Sequence, residues 1–222
     1  MQKDNQKQAF VTYEANSWFQ RNKFITQKYN SETDPIMGLL KKYSISPTSI
    51  LEVGCSAGYR LAALKAEFPE SNVVGVEPST DAIEYGQTHY PSVSFANTTI
   101  DDMSMFPDAS FDVVVIGFVL YVVDRRLLLK AISEVDRVLK NGGKLFIIDF
   151  YSEKALKRKY QHINEFDAYT FKQNYDLIFA ATQLYHLIDK ACLHHDHMTH
   201  DTDDFQNLFS ISMLKKDLDA TY

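Results

Sequence analysis

Eleven consecutive residues constrain this chain more than any others: Ile50-Leu51-Glu52-Val53-Gly54-Cys55-Ser56-Ala57-Gly58-Tyr59-Arg60. They read as a buried strand, a turn of small residues and the start of a helix. Backbone N–H groups at a helix start lack intrahelical partners, and the helix dipole turns its positive end outward, so a nucleotide-type group can rest there. Gly54 and Gly58 allow backbone angles and a close approach that a side chain would block. The spacing Gly54-x-Ser56-x-Gly58 departs from the G-x-G-x-x-G of dinucleotide sites. It satisfies G-x-S-x-G, the hydrolase nucleophile elbow, yet the residues before it carry no HGGG-like run to build an oxyanion hole. An ordinary βα turn without a ligand shares the pattern, so the rest of the chain has to decide.

The chain has 222 residues, 45% of them hydrophobic, enough for one domain with a sizeable core. Its net charge of −6 argues against a nucleic-acid backbone as main partner. The two cysteines, Cys55 and Cys192, suggest no disulfide framework. The opening MQKDNQKQAF lacks the apolar core of a signal peptide, and no apolar run approaches a membrane span. The expectation is a cytoplasmic enzyme, monomer or homodimer, that acts on a small molecule without nucleic acid or membrane.

Strand and helix patterns alternate after the glycine turn. The helix after Gly58 is stopped by Pro69, and a second apolar run, Val73-Val74-Gly75-Val76, ends at Glu77-Pro78-Ser79. An acidic residue closing the second strand about 20 residues past the glycine turn lies where a ribose diol would sit. A carboxylate accepts hydrogen bonds from both vicinal hydroxyls. A third strand at 93–96 leads to the polar Asn97-Thr98-Thr99-Ile100-Asp101-Asp102-Met103. The stretch 110–116 is near-continuously apolar, as a parallel strand buried on both faces requires. A helical period over 127–139 ends at Asn141-Gly142-Gly143, read as a left-handed stop, and a fifth strand follows at 144–149.

The flanks are less patterned. Aromatics interleave with polar residues over 9–26 at helical spacing. They either pack on the core or form a lid whose Tyr13, Trp18 or Arg21 lines an acceptor pocket. A short helix is expected over 34–42, with Pro35 in its first turn. Residues 151–184 are expected to hold two helices. Their cations Lys154, Lys157, Arg158 and Lys159 form either a solvated face or an attraction for an anionic acceptor. Strands follow at 185–193 and at 209–214, the latter with alternation suited to a position near the sheet edge. Between them His194, His195, His197 and His200 crowd together. Their spacing matches no closed zinc motif, and neighbours on a strand point to opposite faces, so no metal is expected. A solvated loop and an active-site base both remain open.

LEVGCSAG, GVEPS, FPDASFDVVVIGFVLYVVDR and LKNGGKLFIIDF occur in the order found in class I S-adenosylmethionine (SAM) methyltransferases, and over about residues 45–150 the chain resembles that family. Ser56 stands for the usual middle glycine, and Tyr121 stands where many relatives have a histidine. The N-terminal YEANSWFQRN faintly resembles methyltransferases of bacterial surface-glycan gene clusters. The resemblance implies a Rossmann-like, doubly wound, seven-stranded α/β sheet, mostly parallel with its last strand antiparallel. It also implies one domain over 1–222, with helical cap elements at about 8–45 and 151–205. SAM would lie across the ends of strands one and four and leave as S-adenosylhomocysteine (SAH). Its contacts would be Glu52, Gly54, Cys55, Ser56 and Gly58 at the turn and Glu77 and Pro78 at the ribose. Thr99, Ile100 and Asp101 would meet the adenine edge, and Gly117 and Phe118 the methionine end.

The implied reaction is a single displacement at the sulfonium methyl, in which the protein's main contribution is alignment of the nucleophile. A hydroxyl acceptor needs a base, for which His194 or His195 is the first candidate and Tyr121 the next. Other readings predict different behaviour. A non-catalytic SAM- or SAH-binding protein would bind cofactor without releasing SAH when an acceptor is present. A nicotinamide oxidoreductase would be stabilised by NAD(H). RNA methylation lacks a basic stripe interleaved with stacking aromatics.

Overall fold

The computed structural model describes residues 5–163, 167–195, 198–199, 204 and 207–219. Its strands are β1 (Ser49–Val53), β2 (Asn72–Val76), β3 (Ser94–Ala96), β4 (Phe111–Gly117), β5 (Leu139–Phe150), β6 (Leu156–Lys159), β7 (Tyr169–Lys172), β8 (Tyr185–His194) and β9 (Leu208–Lys216). Its helices are α1 (Asn5–Gln8), α2 (Ala15–Asn22), α3 (Ile25–Lys28), α4 (Pro35–Lys42), α5 (Tyr59–Glu67), α6 (Thr80–His89), α7 (Leu128–Val138) and α8 (Asp176–Ala180), with a π-helical stretch, Ala9–Glu14, joining α1 to α2. No described helix is long and apolar enough to cross a membrane.

Seven strands form one sheet in the order β3-β2-β1-β4-β5-β9-β8. The first five are parallel, and β9 runs antiparallel to both β5 and β8. Every residue of β1 is buried, as expected for a strand covered on both faces. Alternate residues feed two cores. Leu51, Val53, Val114 and Ile116 pack with Ala131, Val135 and Val138 of α7. Ile50, Val113 and Val115 pack with Ile36, Met37 and Leu40 of α4 and with Leu61 and Leu64 of α5. Strand order reverses between β1 and β4, which opens a crevice at their carboxyl ends.

Local chemistry sets the helix starts. Asp34 caps α4 by accepting from the N–H groups of Ile36 (2.9 Å) and Met37 (3.1 Å), with Pro35 next in line. Ser79 caps α6 through the N–H of Ala82 at 3.1 Å.

Two expectations are corrected. First, α7 ends at Val138, because Leu139 turns directly into extended backbone (φ −80°, ψ 128°). The Asn141-Gly142-Gly143 turn is instead an excursion inside β5, with Leu139 paired to Phe111 and Lys144 to Val113. Second, residues 151–184 hold an antiparallel ribbon, β6–β7, and one short helix, α8, in place of two helices. The reason is a period of two: Lys157 lies across from Phe171, Lys159 across from Tyr169, and the Lys157 ammonium sits 3.6 Å from the Tyr169 ring centroid. As its pattern suggests, β9 sits one strand in from the sheet edge. It lies between β5 and β8 and is buried almost throughout, and β8 forms the rim.

Candidate active site

The turn after β1 is built by backbone geometry. Gly54 adopts φ +76°, and a Cβ there would stand 2.3 Å from Val119 Cγ2. Gly58 adopts φ +78°, begins α5, and would meet the Phe95 ring at 2.8 Å. Ser56, in place of the family's glycine, also sits in the left-handed region at φ 50°. Its N–H donates to Glu77 Oε2 at 2.9 Å, which ties the turn to the end of β2. Cys55 is buried, and its thiol is pushed up by burial, so it packs rather than reacts.

Glu77 Oε1 accepts from the Ser79 N–H at 2.9 Å, so each carboxylate oxygen is held by one backbone donor and keeps a second lone-pair direction. Burial pushes its pKa up to about 7 against the pull of those two bonds. Asn97 spans the carbonyls of Glu77 and Pro78, 3.0 Å from each. In the next loop Thr99 donates to Asp101 Oδ1 (2.8 Å) and Lys7 pairs with Asp101 Oδ2 (2.8 Å), while Ile100 is buried. Burial works to raise Asp101, but these bonds outweigh it and hold the carboxyl below its usual range.

Glu52, at the end of β1, points into a buried ionic cluster. Arg60 donates through Nη1 to Glu52 Oε1 and through Nε to Asp34 Oδ2 at 2.8 Å. Gly117 lies above that pair, where a Cβ would stand 3.5 Å from Arg60 Nη1 and 3.6 Å from Glu52 Oε1.

The exit from β4 is clamped by Asp149, a residue the sequence reading passed over. Asp149 Oδ2 accepts from the N–H groups of Val119 (3.1 Å) and Leu120 (2.8 Å), and Oδ1 accepts from Phe150 N–H (2.8 Å). Burial pushes it up to about 7. Phe118, at φ +53°, is thereby presented beside the crevice. Its ring centroid lies 5.2 Å from Phe150, 5.8 Å from Phe209 and 6.2 Å from His195, and Tyr121 meets Phe150 at 4.8 Å. An aromatic wall is thus formed after β4, around Phe118, Phe150 and Phe209. Phe150 and Phe209, also missed in the sequence, belong to it because β5 and β9 pair Phe150 with Phe209.

Of the two adjacent histidines, His195 joins this wall, 5.2 Å from Phe150, and its N–H bonds to Asn207 O at 2.7 Å. His194 turns the other way, with Nε2 3.6 Å from Asp204 Oδ2. His197 and His200 lie outside the described residues. Among the described residues no group of three or more His, Cys, Asp or Glu side chains could hold a metal. Burial, with the fields of Asp149 and Glu14, pushes the Tyr121 hydroxyl well up, so it stays protonated at neutral pH.

The N-terminal segment covers these loops. Asn16 accepts from Ser79 Oγ at 2.8 Å, Phe19 packs on Ala57 and Ala82, and Lys7 reaches Asp101. The Gln6 amide bonds the carbonyls of Val122 (3.0 Å) and Tyr169 (2.7 Å) and accepts from the Tyr169 N–H (2.9 Å). Glu14 is buried and accepts from both Arg21 and the Tyr160 hydroxyl. Of the lid residues expected to face an acceptor, Arg21 joins the Tyr121 environment, Trp18 is half-buried, and Tyr13 is 45% exposed. Glu14 and Tyr160 carried no local sequence signal, since they meet only across the fold.

A family model described as "Methyltransferase domain" matches residues 51–147. The demethylmenaquinone methyltransferase of Listeria welshimeri is 32% identical over 127 residues, 55% of this chain and 51% of that protein. The ubiquinone/menaquinone biosynthesis C-methyltransferase of Campylobacter jejuni is 27% identical over 118 residues, 50% of this chain and 48% of that protein. The chain thus spans about half the length of the curated relatives it matches. Among solved structures, the 1,6-didemethyltoxoflavin-N1-methyltransferase of Burkholderia thailandensis, bound to its acceptor and SAH, superposes with a TM-score of 0.69 at 14% identity, covering 96% of this chain and 90% of that one. A SAM-dependent methyltransferase of Methanosarcina mazei superposes at 0.62 with 20% identity, covering 84% and 99%. At such identities these likenesses are of fold.

Proposed function

We propose that the chain works as a class I SAM-dependent methyltransferase and transfers the methyl group of SAM to an oxygen of a small acceptor, a sugar or a phosphorylated or otherwise anionic metabolite. The observation that carries this reading is the backbone-held Glu77 carboxylate after β2 and the Phe118–Phe150 ring pair after β4 and at the end of β5, on the carboxyl edge of the sheet where strand order reverses between β1 and β4. The residues present fit the cofactor. Glycine at 54 and 58 lets the turn take its positive-φ shape packed against Val119 and the Phe95 ring, where a Cβ would clash, and Glu52 Oε2 beside it is a buried acceptor without a partner among the described residues. When bound, SAM supplies an electrophilic sulfonium methyl group.

The chain's own residues then have distinct tasks. Glu77 accepts from the ribose hydroxyls through its remaining lone pairs. Residues 99–101 flank the adenine, and Gly117 and Phe118 border the methionine end. Phe118, Phe150 and Tyr121 offer ring faces on which a sugar or planar acceptor stacks while water is excluded. His195, at the rim of that wall, takes the proton from the acceptor hydroxyl. The neutral Tyr121 hydroxyl serves as a donor. Small acceptors are also what the names of the menaquinone and toxoflavin enzymes specify for those proteins.

Thermal unfolding with SAM, SAH and NAD(H) tests the cofactor half of this reading. Ligand at about 100 times its dissociation constant stabilises by roughly 2.7 kcal/mol. A shift with SAM and SAH alone, lost in Glu77→Ala, supports it, and a shift with NAD(H) would sink it. SAH release across a panel of sugars and anionic metabolites tests transfer. Cofactor binding with no release on any acceptor would favour the non-catalytic alternative.

A further inference from the structure

The β6–β7 ribbon has two unlike faces. Its pairing sets Leu156 against Lys172 and Arg158 against Thr170, so these four side chains share one face, while Lys157 and Lys159 share the other with Phe171 and Tyr169. The second face is closed over its own rings: Lys157 lies over Tyr169, and the Arg125 guanidinium covers Phe171 at 4.3 Å from the ring centroid. The first face turns inward. The pairing continues with the Tyr160 N–H donating to the Ala168 carbonyl at 2.9 Å, both residues are buried, and the Tyr160 hydroxyl reaches Glu14.

One hydrogen bond fixes where that inner face lands. The Phe171 N–H donates to the Tyr121 carbonyl at 2.7 Å, so the ribbon docks on the segment that leaves β4. The next residue, Lys172, holds its ammonium 4.7 Å from the centroid of Phe150, the ring that also meets Tyr121 at 4.8 Å and His195 at 5.2 Å. Arg158 lies diagonally across the ribbon from Lys172, a separation that long side chains span. Two like charges therefore meet above the aromatic wall. Burial and Arg158 oppose the charged form of Lys172, Asp204 works the other way, and the balance holds the ammonium below its usual range. An anion placed between the two cations relieves their repulsion and restores the contacts that water would have made.

We propose that Lys172, with Arg158 beside it, is the anion subsite of the acceptor region, so that the acceptor carries a phosphate or a carboxylate group. This rests on the methyltransferase reading above and narrows its substrate class. An acceptor anchored there by its anion lays its body along the Phe150 and Tyr121 rings, on the wall that His195 borders. Lys157 and Lys159, equally basic in the sequence, take no part, because the strand alternation assigns them to the outer face.

Calorimetric titration with phenyl phosphate, benzoate and benzyl alcohol at constant ionic strength tests this, since all three offer a ring and the alcohol alone lacks an anion. Wild-type protein should bind one of the two anions roughly tenfold or more tightly than the alcohol, and the preferred one tells phosphate from carboxylate. Lys172→Gln should lower that affinity roughly tenfold or more, the usual effect of losing a hydrogen bond to a charged group. Arg158→Gln should lower it by about threefold, and Lys159→Gln, on the outer face, should leave it within about twofold. Arg158 is exposed, so its variant keeps the test decisive if Lys172→Gln fails to fold. Anions bound no more tightly than the alcohol, or an anion preference that survives both inner-face substitutions, would overturn the subsite. SAH binding is measured on the same samples. SAH bound without any anion preference sinks the subsite alone, whereas anion preference without SAH binding sinks the methyltransferase reading and, with it, the role of the anion as part of an acceptor.

Discussion

The region proposed to hold the cofactor and the region proposed to face the acceptor are held together in different ways. On the cofactor side the decisive contacts involve backbone: Ser56 and Ser79 N–H groups on Glu77, and positive φ angles at Gly54 and Gly58. The partners lie within one βαβ unit, and the parallel sheet sets their positions. On the acceptor side the contacts join residues far apart in sequence, mostly through side chains. The Gln6 side chain meets the Tyr169 backbone, Glu14 meets Tyr160, and Phe118 meets Phe209 and His195. A site for a common cofactor can be written in short-range backbone rules, whereas a site for a particular acceptor is assembled from long-range side-chain encounters that vary without disturbing the sheet.

The sharpest way to break this comparison is at the glycines. Gly54 and Gly142 have nearly the same φ, +76° and +77°, but only Gly54 is packed, since nothing lies within 4 Å of a Cβ built on Gly142. Gly54→Ala should therefore destabilise by roughly 3–4 kcal/mol through clash and strain, and Gly142→Ala by about 1 kcal/mol through strain alone. Urea unfolding of the two variants checks this, and equal losses would show that conformation, not packing, rules the turn.

His195→Ala should lower turnover on an identified hydroxyl acceptor by about a hundredfold and leave SAH affinity unchanged. Unchanged turnover would remove His195 from the chemistry. The two sides would then not divide as described.

Glu77 offers a pH test of the cofactor side. Its pKa is about 7 in the folded protein against 4.5 ordinarily, so between those values the folded state holds more protons than the unfolded one. Stability contributed through this group therefore falls as pH rises from about 4.5 to about 7. Asp149, about 7 against 3.8, acts in the same direction from a lower starting pH. Glu77→Gln should flatten part of that decline in the unliganded protein. Because a ribose diol favours the ionised carboxylate, SAH affinity of wild type should weaken, by up to about tenfold per pH unit, as pH drops below about 7. A pH-independent SAH affinity would contradict the role given to Glu77.

The smallest effect belongs to the lid. The Lys7–Asp101 pair is 35% exposed on the lysine side, so Lys7→Ala should change global stability by less than about 1 kcal/mol. Hydrogen exchange in residues 5–28 should nonetheless quicken while β4 stays protected. Equal acceleration in both would mean that the cap and the core unfold as one unit.

Much of this was legible in residue order alone. The turn between β1 and α5, the apolar parallel strands and Glu77 at the end of β2 all follow from rules spanning about 30 residues, whereas the antiparallel last strand was implied only by the family resemblance. The β6–β7 ribbon was not legible. Its cations suggested a solvated helix face, and only ribbon pairing, with Lys157 laid over Tyr169, reveals the two-residue period. The end of α7 was misplaced because Gly142, a good helix terminator, is used one step later inside β5.

By itself, then, the sequence determined the architecture and the cofactor edge, because glycine conformations, strand burial and helix starts are local physics. Only the tertiary structure set His195 beside Phe150 and His194 beside Asp204, pushed the Tyr121 hydroxyl up, and brought in Asp149, Glu14 and Phe150. Each of those outcomes depends on burial and on partners far away in the chain. Desolvation, ring contact and an orphaned hydrogen-bonding atom are properties of an environment, and an environment exists only once the chain has closed around it.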